Sequence, residues 1–115
     1  MTWFRLFLAG WLVVITAYTS ITVANHGLNL LPIFFGDIAR MAWPGQFNLD
    51  FMGFLSLSAL WVAWRHQFSP AGLGLGLLAF FLGMPFLSAY LLVHSVRTRG
   101  GIAALMLGET RASQL

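Results

Sequence analysis

Three long uncharged runs constrain this chain more than any other feature of its sequence. They cover residues 6–24, the 14 residues between Asp50 and Arg65, and residues 71–96. A helix needs about 20 apolar residues to cross the ~30 Å hydrocarbon core of a bilayer, and the first and third runs are that long. Because 59% of the residues are hydrophobic and 8% are charged, we expect lipid to be the solvent for most of the chain.

The second run is short for a membrane span. We therefore expect its helix to begin near Asn48, with Asp50 in the first turn, where the free N–H groups of a helix favour a carboxylate. Trp61 and Trp64 beside Arg65 are typical of the opposite membrane interface, since amphipathic rings prefer the headgroup level.

The third run is the longest, so its helix is expected to be tilted or kinked in the membrane. Pro85 supplies a kink, because its ring removes the backbone hydrogen bond to the carbonyl of Phe81. Residues 97–115 are too short to cross again. We predict that they form a C-terminal tail, either as a surface helix or as a segment that is disordered at its end.

Residues 30–42, between the first two runs, carry a helical pattern of another kind. Pro32 suits the first turn of a helix, and Pro44 follows its end. Asp37 and Arg40 lie three residues apart on the polar side, where we expect a weak, solvated ion pair. The pattern predicts an interfacial amphipathic helix that lies in the membrane plane. Its apolar side is formed by Leu31, Phe34, Phe35, Ile38, Met41 and Ala42.

These patterns predict an all-α integral membrane protein with one domain over residues 1–115. Its three transmembrane helices are predicted at about 4–24, 48–65 and 71–96, with the interfacial helix between the first and the second. The alternative for the first run is a secretory signal peptide with Arg5 as its basic region. The length of the run favours a span, as do the polar residues that continue it in helical register.

With three spans, the two ends of the chain lie on opposite sides of the membrane. An outside N-terminus and a cytoplasmic C-terminus are then favoured, because cytoplasmic segments carry the excess of positive charge. We predict the inner membrane of a bacterium, and arginine without lysine suits a GC-rich genome. In this arrangement four arginines lie on the cytoplasmic side and two lie outside. The four are Arg40, Arg97, Arg99 and Arg111, and the two are Arg5 and Arg65.

Small residues in the third run share one face of its helix. Their spacing of four, three and four residues extends a GxxxG pattern over three turns, and such faces let membrane helices approach closely. The second run contains small residues of its own that fit this face, including Ala59 and Ala63. The face serves either packing within the chain or, alternatively, a homo-oligomer or docking onto a larger complex. Its residues are Gly72, Gly76, Ala79 and Gly83.

Antiparallel crossing of three spans predicts that most ionisable side chains meet at one membrane face. Asp50 lies there either as a helix-start residue or as part of a proton relay or ligand site. His26 and His94 are the pair that could hold a haem or a pigment metal, whereas His66 is interpreted as a headgroup contact. The predicted polar cluster consists of His26, Asp37, Arg40, Asp50, His94 and Arg97.

Several kinds of chemistry have no motif in this chain. Cysteine is absent, which excludes disulfides, thiolate metal sites and cysteine nucleophiles. There is no nucleophile elbow and no HExxH, and GLGLG at 72–76 lacks the lysine of a phosphate-binding loop. The net charge of +3 is not arranged as a basic stripe. We therefore expect no enzyme activity, no metal site, no resident cofactor and no nucleic-acid partner.

Four short segments and one arginine occur in an order that resembles a known family. They are HGLNL at 26–30, FFGD at 34–37, FNLDF at 47–51, Arg65, and PFLSAYLL at 85–92. Over about residues 8–97 the chain resembles a family of short bacterial multi-pass membrane proteins catalogued as domain of unknown function 2834. The resemblance implies a multi-pass membrane protein and assigns it no activity.

The leading functional hypothesis is a non-catalytic accessory or assembly subunit of a larger membrane complex, of the respiratory or photosynthetic type. Small size, small-residue faces and sparse chemistry support it. One alternative is a small-molecule or proton-coupled carrier that acts as an oligomer. The other is a haem or pigment binder that uses His26 and His94. Expected partners are membrane lipids and other membrane subunits or further copies of the chain.

Overall fold

The computed structural model describes residues 1–115 as seven helices without a strand, so the all-helical prediction is confirmed. Two of the helices, α1 with 25 residues and α3 with 23, are long and apolar enough to cross a membrane. The helices are α1 (Thr2–His26), α2 (Leu30–Ala39), α3 (Trp43–Arg65), α4 (Pro70–Leu82), α5 (Met84–Arg97), α6 (Ile102–Leu107) and α7 (Glu109–Ala112).

Helix α3 begins five residues before the predicted start at Asn48. Pro44 lies in its first turn, where the missing N–H costs nothing and the fixed φ suits a helix. Asp50 is therefore the eighth residue of α3 and is exposed in its third turn. The prediction of Asp50 as a first-turn residue is wrong, because Pro44 begins this helix instead of following the end of the preceding one.

Helix α2 folds back along the start of α3. The side-chain amide of Asn48 donates a hydrogen bond of 3.1 Å to the carbonyl oxygen of Phe34. Gly45 lies against the backbone of Asp37, where an added Cβ atom has no room. The predicted ion pair between Asp37 and Arg40 is present, with Oδ1 and Nη1 3.2 Å apart and the arginine side chain largely exposed.

The third apolar run is two helices that reverse at Gly83, and not one kinked span. Gly83 has φ 64° and ψ −134°, a conformation that glycine adopts without a Cβ penalty. Pro85 then lies in the first turn of α5. Gly72 and His94 would be about 33 Å apart along an unbroken helix. In the structure both residues lie against His66. A Cβ atom added to Gly72 would be 2.6 Å from the Cβ of His66, and the ring centres of His66 and His94 are 5.8 Å apart.

The small-residue face of α4 packs against α3. A Cβ placed on Gly76 would lie 2.9 Å from the carbonyl oxygen of Ala59, so only glycine allows this approach. Val62 and Ala79 are fully buried and form the centre of the core together with Tyr90 of α5. Only 14 of the 115 residues are buried, which leaves most large apolar side chains on the outside. All four residues of the predicted face are among those 14.

Helix α1 runs antiparallel to α5 and contacts it through its first half. The guanidinium of Arg5 donates to Ser95 near the end of α5, from Nε to Oγ at 3.1 Å and from Nη2 to the carbonyl oxygen at 2.9 Å. Leu8 is buried in the same half. Beyond Ile15, every residue of α1 except the partly buried Val23 is exposed. The second half of α1 therefore has no partner in the chain.

The start of α1 and the ends of α3 and α5 lie at the same end of the molecule. Helix α5 runs from Gly83 back to the end of α3, where His94 meets His66. Because α1 is antiparallel to α5, its first residues lie at this end as well. We call it the arginine-rich end, since five of the six arginines belong to it. They are Arg5, Arg65, Arg97, Arg99 and Arg111.

The close approach of α3 and α4 makes a matched pair of glycine substitutions informative. Gly76→Ala is expected to destabilise the protein, because its new methyl group meets the carbonyl of Ala59 at 2.9 Å. A Cβ atom added to Gly74 has no other atom within 4 Å. Gly74→Ala is therefore expected to be neutral or to stabilise the protein by up to ~1 kcal/mol through helix propensity. Thermal unfolding in detergent measures the stability of both variants. If their unfolding midpoints shift in the same direction, the close packing of α3 and α4 at Gly76 is contradicted.

Candidate functional site

Arg65 ends α3 and is almost completely buried, with 5% of its surface exposed. Nε donates to the carbonyl oxygen of Leu105 at 2.7 Å, and Nη2 donates to that of Ala104 at 3.1 Å. Both carbonyls belong to the last turn of α6, where the negative end of the helix dipole attracts cations. The Ala104 carbonyl also accepts the backbone N–H of Gly108 at 3.0 Å. Nη1 donates to the hydroxyl of Tyr90 at 3.1 Å. One guanidinium thus joins α3, α5 and α6.

The positive charge of Arg65 has no negative partner in the structure. All three acceptors are neutral, and the one ion pair in the chain is that of Asp37 and Arg40. The Tyr90 ring, whose centre lies 5.6 Å from the guanidinium carbon, adds a weak cation–π attraction. A buried charge without a counter-ion is costly, since neutral hydrogen bonds replace only part of its hydration.

Tyr90 connects Arg65 to His66. The Tyr90 hydroxyl oxygen lies 2.6 Å from Nε2 of His66 and already accepts a hydrogen bond from Arg65. Its own proton is then free to be donated to Nε2, which favours a neutral imidazole with its proton on Nδ1. Burial, together with the positive charge of Arg65, lowers the pKa of His66 below its usual 6.5. Folding therefore favours the neutral ring, and stability falls as the pH drops below about 6.5.

His94 completes a cluster of aromatic and cationic side chains in the last turn of α5. Its ring centre lies 4.3 Å from that of Tyr90 and 5.8 Å from that of His66. We call Arg65, His66, Tyr90 and His94 the Arg65 cluster. Its members come from the end of α3, from His66 directly after it and from α5, so the reversal at Gly83 is what brings them together.

A polar cavity of about 320 Å³ opens in front of the Arg65 cluster. No hydrophobic residue lines it, which is unusual in a chain that is mostly apolar. Arg97 and Thr98 border it from the end of α5, and Glu109 borders it from α7. The combination of two arginines, two histidines and one carboxylate makes it a site for a charged or hydroxyl-rich ligand.

The C-terminal residues form one wall of this cavity instead of a free tail. Gly108 has φ 85° between α6 and α7, and a Cβ there would lie 2.6 Å from the Arg65 carbonyl oxygen. Nη1 of Arg111 donates to the carbonyl oxygen of Trp64, and its guanidinium carbon lies 4.1 Å from the centre of the Trp64 ring. The two short helices are thus held against the end of α3.

The predicted polar cluster is divided between the two ends of the molecule. His94 and Arg97 line the cavity, whereas the other four members lie away from it. Because Arg5 is bonded beside His94, the 21 residues from Arg5 to His26 place that histidine about 31 Å away along α1. The structure therefore does not bring His26 and His94 together as a haem or pigment pair. The four members away from the cavity are His26, Asp37, Arg40 and Asp50.

Sequence reasoning passed over the residues at the centre of the site. The sequence indicates Arg65 as an interface marker and His66 as a headgroup contact, and it indicates no role for Tyr90 or Glu109. The spacing of Tyr90 and His94, four residues apart on one helix face, was an available signal. Nothing in the sequence indicated that this face returns to Arg65.

No family model, curated protein or solved structure matches this chain. The resemblance drawn from HGLNL, FFGD, FNLDF and PFLSAYLL therefore stays a prediction. The function of the chain has to be argued from the geometry of its own residues.

The two tyrosines of the chain allow a matched test of the Arg65 cluster. Tyr90→Phe removes the hydroxyl that accepts from Arg65 and contacts His66, and we expect it to lower the free energy of unfolding by about 2 kcal/mol. Tyr18→Phe is the control, because Tyr18 is 71% exposed and its hydroxyl has no partner. Thermal unfolding in detergent measures the difference. Equal losses from the two variants would contradict the role of Tyr90.

Proposed function

We propose that this chain is a non-catalytic accessory subunit of a larger membrane complex. In this proposal α1 and α3 cross the bilayer, and the second half of α1 contacts the partner. The observation that carries the proposal is the unpartnered half of α1, which is long, exposed and contains hydroxyl groups without acceptors in the chain.

The exposure of the two long helices supports a lipid environment. Within the chain, 6% of the apolar stretch of α1 and 11% of that of α3 are buried, so neither is the core helix of a water-soluble fold. Exposed Phe, Leu and Trp side chains follow one another along both helices. A continuous apolar surface of this size is unfavourable in water and suits contact with lipid or another protein.

The contacts of α1 favour a retained helix over a cleaved signal peptide. Arg5 makes two hydrogen bonds to Ser95, and Leu8 is 2% exposed in the half that packs on α5. Removal of α1 would leave Ser95 and its neighbours without these contacts. This supports α1 as a permanent element of the protein.

The proposed orientation differs from the one expected from three spans. Helices α4 and α5 have 13 and 14 residues, about 20 Å each, which is too short for a ~30 Å hydrocarbon layer. They therefore suit a re-entrant hairpin that enters and leaves at the arginine-rich end. Since cytoplasmic segments carry the excess of arginine, we propose that this end and both chain termini face the cytoplasm.

Single cysteines test this orientation cleanly, because the natural chain has none. Gln67, Arg99 and Gln46 are exposed positions for them. In the proposed arrangement, cysteines at 67 and 99 react with a membrane-impermeant maleimide from the same side and a cysteine at 46 from the opposite side. A straight third span would instead put 67 and 99 on opposite sides. Labelling of intact cells and of lysed cells distinguishes the two.

The second half of α1 provides the surface for a partner helix. No side-chain hydrogen bond within the chain joins Thr16, Thr19 or Ser20, whereas Thr22 donates to the carbonyl oxygen of Tyr18 at 2.9 Å. Thr16, Thr19 and Ser20 lie at helical spacing on one face. Hydroxyl groups on such faces stabilise helix pairs in membranes by about 0.6–2 kcal/mol each.

Purification from native membranes in mild detergent tests the partner directly. We expect the wild-type chain to bring down a larger membrane protein, identified by mass spectrometry, and the double variant Thr16→Val/Ser20→Ala to retain several-fold less of it. Thr22→Val is the control, because that hydroxyl is already satisfied within its own helix. Recovery of only the isolated chain or its homo-oligomer from wild type would overturn the accessory role.

The carrier and haem hypotheses have less support from the geometry. Both relied on His94 lying close to residues of the opposite end, Asp50 for the carrier and His26 for the haem. The reversal at Gly83 separates His94 from those residues. We therefore propose the accessory role alone.

A further inference from the structure

We propose that the cavity in front of Arg65 binds the phosphodiester of a phospholipid headgroup, with phosphatidylglycerol as the lipid of matching charge. The site consists of the buried guanidinium of Arg65, the exposed guanidinium of Arg97 and the surrounding polar side chains. It is separate from the partner surface on the second half of α1.

The charge of Arg65 is uncompensated within the chain. A guanidinium has five N–H groups, and three of those in Arg65 reach neutral acceptors. The remaining two, one on each terminal nitrogen, have no acceptor in the chain, while Arg65 borders the cavity. Buried charges in proteins are paired with a charge of opposite sign. An anion in the cavity provides the pair that the chain itself lacks.

The donors around the cavity suit a phosphate group. Arg97 and His94 lie three residues apart on α5, and both border the cavity. Guanidinium groups bind phosphate oxygens through paired N–H donors, and two arginines from different helices can hold different oxygens of one tetrahedral phosphate. A planar carboxylate has only two oxygens to share between them.

The charge and the volume of the cavity also match a phospholipid headgroup. With neutral histidines, Arg65 and Arg97 against Glu109 give the lining a net charge of +1, which equals in size the single negative charge of a phosphodiester. The volume of about 320 Å³ is about ten times the ~30 Å³ share of a water molecule. It therefore has room for a glycerol headgroup beside the phosphate, with Glu109, Thr98 and Thr110 as partners for its hydroxyls.

The choice of a lipid over free phosphate rests on the proposed membrane location. The cavity lies at the end of α3, whose final residues include Trp61 and Trp64, and such residues mark the level of lipid headgroups. Basic pockets between membrane helices on the cytoplasmic side are recognised sites for anionic headgroups. A lipid whose chains lie along α3 and α5 would bring its phosphate to this depth.

The test uses the full chain in detergent micelles with four probes. They are short-chain phosphatidylglycerol, phosphatidylcholine with the same acyl chains, glycerol phosphate and inorganic phosphate. Bound lipid is counted by native mass spectrometry, and affinity is taken from the rise in the thermal unfolding midpoint with ligand concentration. We expect phosphatidylglycerol to bind with one high-affinity site and the other three probes to bind at least about tenfold more weakly.

Two exposed arginines at the same end of the molecule supply the variant and its control. Arg97→Gln is expected to weaken phosphatidylglycerol about tenfold, because it removes one guanidinium from the cavity while leaving the buried contacts of Arg65 intact. Arg99→Gln removes an equal charge outside the cavity and is expected to change binding less than about twofold. Arg65→Gln should abolish binding, but it also removes the contacts that hold three helices together and could unfold the protein. Arg97→Gln is therefore the decisive variant.

Each contrary result overturns a defined part of the proposal. Equal binding by wild type and Arg97→Gln, or equal binding of phosphatidylcholine and phosphatidylglycerol, would reject the site. If inorganic phosphate binds as tightly as the lipid and loses the same affinity in Arg97→Gln, the ligand of the cavity is free phosphate and not a lipid. Micelle binding is independent of the cysteine labelling and of the partner, so failure here is distinguishable from failure of the accessory role.

Discussion

The rest of this structure depends on the buried guanidinium of Arg65. Its three hydrogen bonds tie the end of α3 to the Tyr90 hydroxyl of α5 and to two carbonyls of α6. Each bond matters more than it would at a surface, because a buried cation that loses an acceptor has no water to replace it. The same residue therefore holds the return of α5, fixes the C-terminal helices as a wall and leaves an excess of positive charge facing the cavity.

Helices were predictable from the sequence, but the direction of the chain after Gly83 was not. The predicted first span at 4–24 and interfacial helix at 30–42 each correspond to a helix of the structure. In the third run, the hydropathy pattern does not distinguish one long helix from two short antiparallel helices. Pro85 fits either arrangement, since proline both kinks a helix and begins one. The difference lies in one backbone conformation, at Gly83.

One wrong assumption about direction accounts for most of what the site prediction missed. The small-residue face of Gly72 and Gly76 follows from local spacing alone, and it packs on α3. The polar cluster instead required three crossings, so the reversal moved His94 and Arg97 to the end that holds Arg65. Spacing along one helix is a short-range property, whereas the meeting of Tyr90 with Arg65 depends on a turn between them.

The proposed orientation depends on both the length of the hairpin and the distribution of arginine. A hairpin whose two helices are each about 20 Å long cannot cross a ~30 Å hydrocarbon layer, so both of its ends must lie on one side. That side holds five arginines, and Arg40 alone lies at the other end. Three straight spans would have divided the arginines four against two. The reversal therefore sharpens the charge asymmetry, and in the proposed orientation the cavity lies where lipid phosphates meet the cytoplasm.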